Sequence, residues 1–195
     1  MNNQLTIQNI FNELTKQYNI IEYQNLDLRY FDLVNMKENP RIVNTWQVNK
    51  GLNNFILCHV QYSYSYQVVD RIGGHQETDD SDYLFGFIAT DIDFGHSYFR
   101  PETLMDKLIE FFSPTEIDFK EYKSFSKKFY VLTKDEKKLR SWISKDLVNL
   151  FEKTPKIEIE FKDKYCLFKL PKSVDIEETK LLCDFGLKLN KILNQ

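Results

Sequence analysis

The sequence predicts an α+β protein: a mainly antiparallel sheet with helices packed against it, and a C-terminal β-α-β-β-α unit. Apolar residues alternate with period two over 42–48 and 56–68, which indicates strands, and have helical spacing near the N-terminus and in the second half. A chain of 195 residues, 42% hydrophobic and 28% charged, can form a core without disulfides or metal. We expect one domain over 1–195: a helical N-terminal segment (1–39), antiparallel strands (40–100), and a helix followed by the β-α-β-β-α unit (101–195).

The spacing of apolar residues predicts the elements of the N-terminal part of the chain. A helix over 4–18 has the apolar face Ile7, Ile10, Phe11, Leu14 and Tyr18. Residues 22–39 leave helix and loop both open, and a strand is predicted over 42–48. In the next strand the even positions form one face: Ile56, Cys58, Val60, Tyr62, Tyr64, Tyr66 and Val68. Because the three tyrosines continue an apolar face, we predict that they meet the core rather than form a stacking platform.

A loop over 70–82 and a central strand over 82–93, paired with the preceding strand, come next. Arg100-Pro101-Glu102 predicts the start of a helix with the buried stripe Leu104, Met105, Leu108, Ile109 and Phe112. After a strand over 127–132, Thr133-x-x-Glu136 predicts a helix that ends at Thr154-Pro155. Lys162-Asp163-Lys164 joins the last two strands as a tight hairpin, and Asp175-x-x-Glu178 caps the final helix.

Three short motifs resemble a broad family of uncharacterised bacterial proteins, some of which carry membrane helices before the domain. They are Ile42-Val43-Asn44-Thr45-Trp46, the alternating Tyr62, Tyr64 and Tyr66, and the set Phe125, Phe129, Val131 and Asp135 before a helix. The first motif lacks the family's glycine. The resemblance implies a fold over most of the chain, and it implies neither a reaction nor a catalytic residue.

The cysteines Cys58, Cys166 and Cys183 are odd in number and have no paired spacing, which argues against a disulfide framework or a zinc knuckle. The N-terminus has no secretory pattern, and no run of about 18 apolar residues is present. We therefore expect a cytoplasmic protein without a transmembrane segment.

Charge is distributed unevenly along the chain. Residues 1–118 carry 8 Lys and Arg against 17 Asp and Glu, whereas residues 119–172 carry 15 against 8. The basic segment 119–172 is open to two interpretations: peripheral contact with an anionic membrane surface or phosphate, or pairing with the acidic half of the same chain.

The polar residues that stand out lie after the tyrosine strand and after the central strand. They form the candidate binding surface: His75, Asp79, Asp80, Asp82, Asp91, Asp93 and His96. Imidazole and carboxylate groups of this kind bind metals if they converge, but no known metal-ligand spacing is present. The sequence also lacks phosphate-binding glycine loops and nucleophile motifs.

These observations favour a non-enzymatic protein-binding or accessory module with an unknown protein partner and no cofactor. The alternatives are a metal-dependent enzyme that uses His75, Asp91, Asp93 and His96, or a peripheral membrane binder that uses the basic segment. We expect no nucleic-acid binding, because the tyrosines lie in the acidic half, where phosphate is repelled.

Overall fold

A computed structural model describes residues 3–24, 26–69, 73–102, 115–171 and 174–194 of the chain. Within these residues nine strands form one antiparallel sheet in the order β1-β2-β3-β4-β9-β8-β5-β7-β6. The strands are β1 (Asn19–Glu22), β2 (Pro40–Lys50), β3 (Asn53–Val69), β4 (Gly74–Ala89), β5 (His96–Pro101), β6 (Thr115–Glu116), β7 (Phe129–Thr133), β8 (Glu158–Lys162) and β9 (Tyr165–Lys169). The helices are α1 (Asn3–Leu14), α2 (Asp32–Asn35), α3 (Lys123–Ser126), α4 (Glu136–Trp142), α5 (Lys145–Lys153) and α6 (Ile176–Leu193).

The sheet is buried on both faces, which explains why its central strands are apolar at odd and even positions. The first face carries Phe55 and Leu57 of β3 and packs against α1, α5 and α6. The second face carries Ile56 and Cys58 of β3 and is covered by residues 28–34, which include the start of α2. The α+β prediction, with helices on an antiparallel sheet, is thereby confirmed, as is the pairing of β4 with β3.

The N-terminal helix belongs to this core. The rings of Phe11 in α1 and Trp46 in β2 have centroids 3.9 Å apart. Just after the helix, Tyr18 is buried, and its hydroxyl donates a hydrogen bond to Asp184 Oδ1 at 2.9 Å. The first helix therefore packs directly onto the sheet and reaches α6.

Two glycines allow α6 and the sheet to approach closely. Gly86 of β4 is registered opposite Phe168 of β9, and a Cβ atom placed at Gly86 would lie 2.1 Å from Cζ of that ring. A Cβ at Gly186 of α6 would lie 2.9 Å from the same atom. The phenyl ring thus occupies the space that two side chains would otherwise fill.

The loop predicted over 70–82 is wrong for residues 74–82, which belong to β4. Residues 74–80 are polar because they are exposed on both faces of the strand, whereas Asp82 is buried. The predicted strand 82–93 ends at Ala89. Residues 70–72 lie outside the described part of the chain.

The helix predicted at Arg100-Pro101 is wrong at its start, because both residues end β5, where Pro101 pairs with Phe129 of β7. The predicted buried stripe at positions 104–112 lies outside the described residues. The helix predicted from Thr133 to Thr154 is two helices, since Ile143 adopts an extended conformation between them. Ser144 then caps α5 by accepting a hydrogen bond from the Leu147 N–H at 3.2 Å.

Candidate functional site

A two-stranded ribbon projects from the sheet where β3 and β4 outrun their neighbours. Strand β2 pairs with β3 only as far as Tyr62, and β9 pairs with β4 only over Phe85–Ala89. Beyond these limits Ser63–Val69 pair with residues 74–80 alone, in continuous register from Ser63↔Asp80 to Val69↔Gly74. We call residues 63–69 and 74–80 the acidic arm; at about 3.3 Å per residue it is roughly 23 Å long.

Carboxylates and tyrosines share one face of the acidic arm. The Tyr66 hydroxyl donates to Glu77 Oε2 at 3.0 Å and Asp79 Oδ2 at 3.1 Å, and His75 Nε2 lies 3.0 Å from Glu77 Oε1. These two acceptors stabilise the neutral phenol, which raises the pKa of Tyr66 to about 12. On the opposite face Ser63 Oγ donates to Asp80 Oδ1 at 2.6 Å. No lysine or arginine occurs in the acidic arm, so its charge is uniformly negative.

The prediction that the alternating tyrosines meet the core is correct at one end of the strand and wrong at the other. Tyr62 is 2% exposed, and its hydroxyl donates to the Val34 carbonyl oxygen at 2.9 Å. Tyr64 is half-buried, and Tyr66 is 43% exposed. The change occurs just beyond the end of β2: Tyr64 still packs partly against the second face, and Tyr66 does not.

The seven predicted site residues divide among four places: the acidic arm, its buried base, the segment after β4 and the start of β5. His75, Asp79 and Asp80 lie on the acidic arm, whereas Asp91 and Asp93 follow β4 at its opposite end. Fourteen residues of β4 separate His75 from Ala89, a distance of roughly 45 Å along the strand. The structure therefore does not bring His75, Asp91, Asp93 and His96 together. Both aspartates are exposed, and Asp93 pairs with Lys138 Nζ at 2.5 Å, which lowers the pKa of its carboxyl group.

Asp82 is buried at the base of the acidic arm rather than exposed on a binding surface. Its Oδ1 lies 2.7 Å from His59 Nε2, and both side chains are 5% exposed. His59 Nδ1 is buried without a hydrogen-bond partner. His59 is one of the residues that line an open groove of about 530 Å³, together with Phe11 and Trp46. Asp82 was predicted as a site residue without His59, because the two side chains become neighbours only through the register of β3 and β4.

His96 lies in a cluster of polar side chains under the segment that covers the second face. Its Nε2 is 2.9 Å from Glu160 Oε1 and 3.4 Å from Asp32 Oδ2. Glu160 is fully buried, and its other oxygen accepts the Leu33 N–H at 2.8 Å. Lys162 Nζ donates to the Tyr30 carbonyl oxygen at 2.7 Å and lies 3.7 Å from Asp32 Oδ1.

His96 was predicted as a site residue, whereas its two carboxylate neighbours were not. Asp32 lies in the stretch that sequence left ambiguous. The sequence of strand Glu158–Lys162 does indicate that its two glutamates share one face, because Glu158 and Glu160 alternate with the apolar residues Ile159 and Phe161. Glu158 is also buried, where it accepts from the Tyr98 hydroxyl at 2.9 Å and from Lys169 Nζ at 2.6 Å.

Several cations of the basic segment 119–172 are paired within the chain. Lys138 and Lys162 reach Asp93 and Asp32 of the acidic half, and Arg140 binds Glu136 Oε1 through Nε at 2.8 Å. This pairing favours the interpretation in which the basic segment faces the protein's own carboxylates. Within the described ranges no helix combines the length and apolar character needed to cross a membrane.

The three cysteine side chains are buried, and burial raises the pKa of each thiol. A buried thiol that stays protonated is a poor nucleophile, so these residues behave as small core residues.

No protein-family model, curated protein or solved structure matches this chain. The family resemblance of its motifs therefore stays a prediction.

Proposed function

We propose that the protein is a protein-binding module and that the acidic arm is its contact surface. The observation that supports this most directly is a two-stranded ribbon that extends beyond the sheet with an unpaired strand edge and only negative charge. The partner we propose is a protein that presents an extended, lysine- or arginine-rich segment.

The edge of β4 is the longer of the two edges that the acidic arm presents. No strand of the described chain pairs with this edge from Gly74 to Leu84, because β9 begins its pairing at Phe85. An unpaired edge displays a row of backbone N–H and C=O groups, to which an extended segment adds as a new strand. Many proteins protect such edges with lysine side chains, and residues 74–84 contain no lysine.

The carboxylates give the edge its selectivity. Glu77 and Asp79 lie on one face of the ribbon and Asp80 lies on the other. A strand added to β4 therefore meets acidic side chains on both of its faces. Opposite charges on adjacent strands stabilise pairing, and like charges destabilise it. A basic extended segment is therefore favoured, and an acidic segment is repelled.

Charge reversal on the acidic arm tests this proposal. The double variant Asp79→Lys/Asp80→Lys is compared with wild type and with the control Asp91→Lys/Asp118→Lys, which makes the same charge change at two exposed positions off the arm. Each protein is immobilised, and bound proteins from the source cell are quantified by mass spectrometry. Circular dichroism melting verifies that all three proteins are folded.

We expect a partner that wild type and the control retain and that the arm variant loses by about tenfold or more, since a loss of about 1.4 kcal/mol suffices for that factor. Retention should also fall as salt is raised, because exposed charges are screened. Equal recovery from all three proteins contradicts the proposal, and so does the absence of any partner on wild type.

The proposed location is the cytoplasm, where thiols remain reduced. The three unpaired, buried cysteines support this location. Disulfide-linked material on a non-reducing gel of protein isolated from its source would contradict it.

A further inference from the structure

The His96 cluster joins three separate segments of the chain at one point. Asp32 comes from α2, His96 from the first position of β5, and Glu160 from the middle of β8. One nitrogen and two oxygen atoms, one from each residue, all lie within 4.8 Å of one another. From this geometry we propose that Asp32, His96 and Glu160 form a binding site for a divalent transition-metal ion of the zinc class.

The distances from the imidazole nitrogen to the two carboxylate oxygens are close to those around a single ion, and the two oxygens lie within 4.8 Å of each other. Zinc bonds to histidine nitrogen and carboxylate oxygen at about 2.0–2.2 Å, so two ligand atoms at a tetrahedral angle lie about 3.4 Å apart. His96 Nε2 lies 3.4 Å from Asp32 Oδ2 and 2.9 Å from Glu160 Oε1. The first distance equals the tetrahedral value, and the second is shorter than it.

The second oxygen of Glu160 has a hydrogen-bond partner, which is the arrangement that orients a metal ligand. Glu160 Oε2 accepts the backbone N–H of Leu33 at 2.8 Å, and such outer hydrogen bonds are a regular part of metal sites. Lys162 Nζ lies 3.7 Å from Asp32 Oδ1, which is too long for a hydrogen bond, so it acts on Asp32 only as a nearby positive charge. The oxygens nearest the imidazole nitrogen are thus the ones available to an ion.

A bound cation also compensates the buried carboxylate of Glu160 better than a proton on the His96 imidazole does. Glu160 is fully buried, and a buried carboxylate needs close compensation. One N–H at Nε2 can align well with a single acceptor, yet two carboxylates lie within 3.4 Å of this nitrogen. A divalent ion contacts both oxygens and the neutral nitrogen at once.

The ligand set narrows the class of ion. Imidazole ligands suit zinc, iron, copper and nickel, whereas magnesium and calcium prefer oxygen ligands alone. Exposure of the Asp32 side chain is 27%, against 11% for His96 and 1% for Glu160, so solvent reaches the site from the Asp32 side. Three protein ligands with solvent access leave a fourth position for water or a small anion.

Zinc uptake by the metal-stripped full chain tests the site. Wild type, Asp32→Asn and Glu160→Gln are dialysed against a zinc series, and bound metal is measured by elemental analysis. The matched control is His75→Ala, because His75 and Glu77 form a histidine–carboxylate pair at 3.0 Å that is exposed on the acidic arm. Cobalt binding, followed by its visible d–d absorption, reports direct ligation in each protein.

We expect one zinc ion per chain in wild type and in the His75→Ala control. Loss of one ligand should weaken binding by about tenfold to 100-fold or more, since even outer-shell changes have effects of that size. Magnesium should not compete with zinc. Zinc uptake that Asp32→Asn leaves unchanged, or wild type without stoichiometric zinc, overturns the proposal.

A gain-of-affinity variant separates metal binding from damage to the fold. Lys162→Gln removes a positive charge 3.7 Å from Asp32 Oδ1, so zinc should bind about threefold or more tighter. A destabilised protein would not bind metal more tightly. Equal or weaker zinc affinity in a folded Lys162→Gln protein therefore contradicts the site.

Discussion

Replacing Gly86 by alanine tests the close packing of β4, β9 and α6 around Phe168. The added Cβ would lie 2.1 Å from Cζ, 2.2 Å from Cε2 and 2.8 Å from Cε1 of the ring, where ordinary contact begins at 3.4 Å. The ring must therefore move by more than 1 Å. It is fully buried, with the ring centroids of Phe185 and Phe55 at 5.2 Å and 5.8 Å, so any movement disturbs its neighbours.

The expected cost of Gly86→Ala follows from this overlap. Small-to-large changes in a packed core cost about 1–3 kcal/mol, and removing a buried phenylalanine costs about 3–5 kcal/mol. Because the ring must leave its position, we expect about 3 kcal/mol. Gly74→Ala is the matched control on the same strand: its Cβ meets nothing closer than 3.8 Å, so its effect should stay within about 0.5 kcal/mol.

Urea denaturation followed by tryptophan fluorescence measures the free energies of unfolding. The double variant Gly86→Ala/Phe168→Ala should be no less stable than Phe168→Ala alone, since the clash is gone. The coupling energy of the two changes is then about 2–3 kcal/mol. A Gly86→Ala protein as stable as wild type, or additive effects in the double variant, would refute the packing argument.

Two further predictions concern titratable groups. For Tyr66, NMR titration should give a pKa of about 12, which falls toward the ordinary value of about 10 in Glu77→Gln/Asp79→Asn. Because the raised pKa reflects a favoured neutral phenol, this stabilisation should be complete below about pH 10 and lost as pH rises through about 12; an unchanged pKa in the variant would contradict it. For the thiols, Cys58, Cys166 and Cys183 should resist a thiol reagent in the native protein and react once it is unfolded, because burial keeps them protonated; rapid labelling of the folded chain would refute this.

Period-two patterning predicted the sheet well because it reports a local property of the strand. The alternation along β3 placed Ile56, Cys58 and Tyr62 on one buried face, as the structure does. The pattern says nothing about where the neighbouring strand stops, and Tyr66 was therefore assigned to the core. The two strands differ in length, since β3 runs for 17 residues and β2 for only 11, so part of β3 has no partner in β2.

The candidate sites were predicted less completely, because their residues meet through tertiary structure. Asp32 and Glu160 are separated by more than 120 positions and approach only when α2 covers the second face. No spacing rule along the chain detects such a cluster. The arm residues His75, Asp79 and Asp80 were found as polar residues, but their placement on a projecting strand required the register with β3.

The strand order imposes a delay during synthesis on the ribosome. Over Phe85–Ala89, β4 has β9 as its second neighbour in the described chain, and β9 emerges about 80 residues later. At translation speeds of 5–20 residues per second, that gap is roughly 4 to 16 s. During this interval the partly synthesised sheet exposes the apolar edge of β4 that contains Phe85 and Phe87. Chaperones that bind emerging polypeptides then have a defined segment to shield.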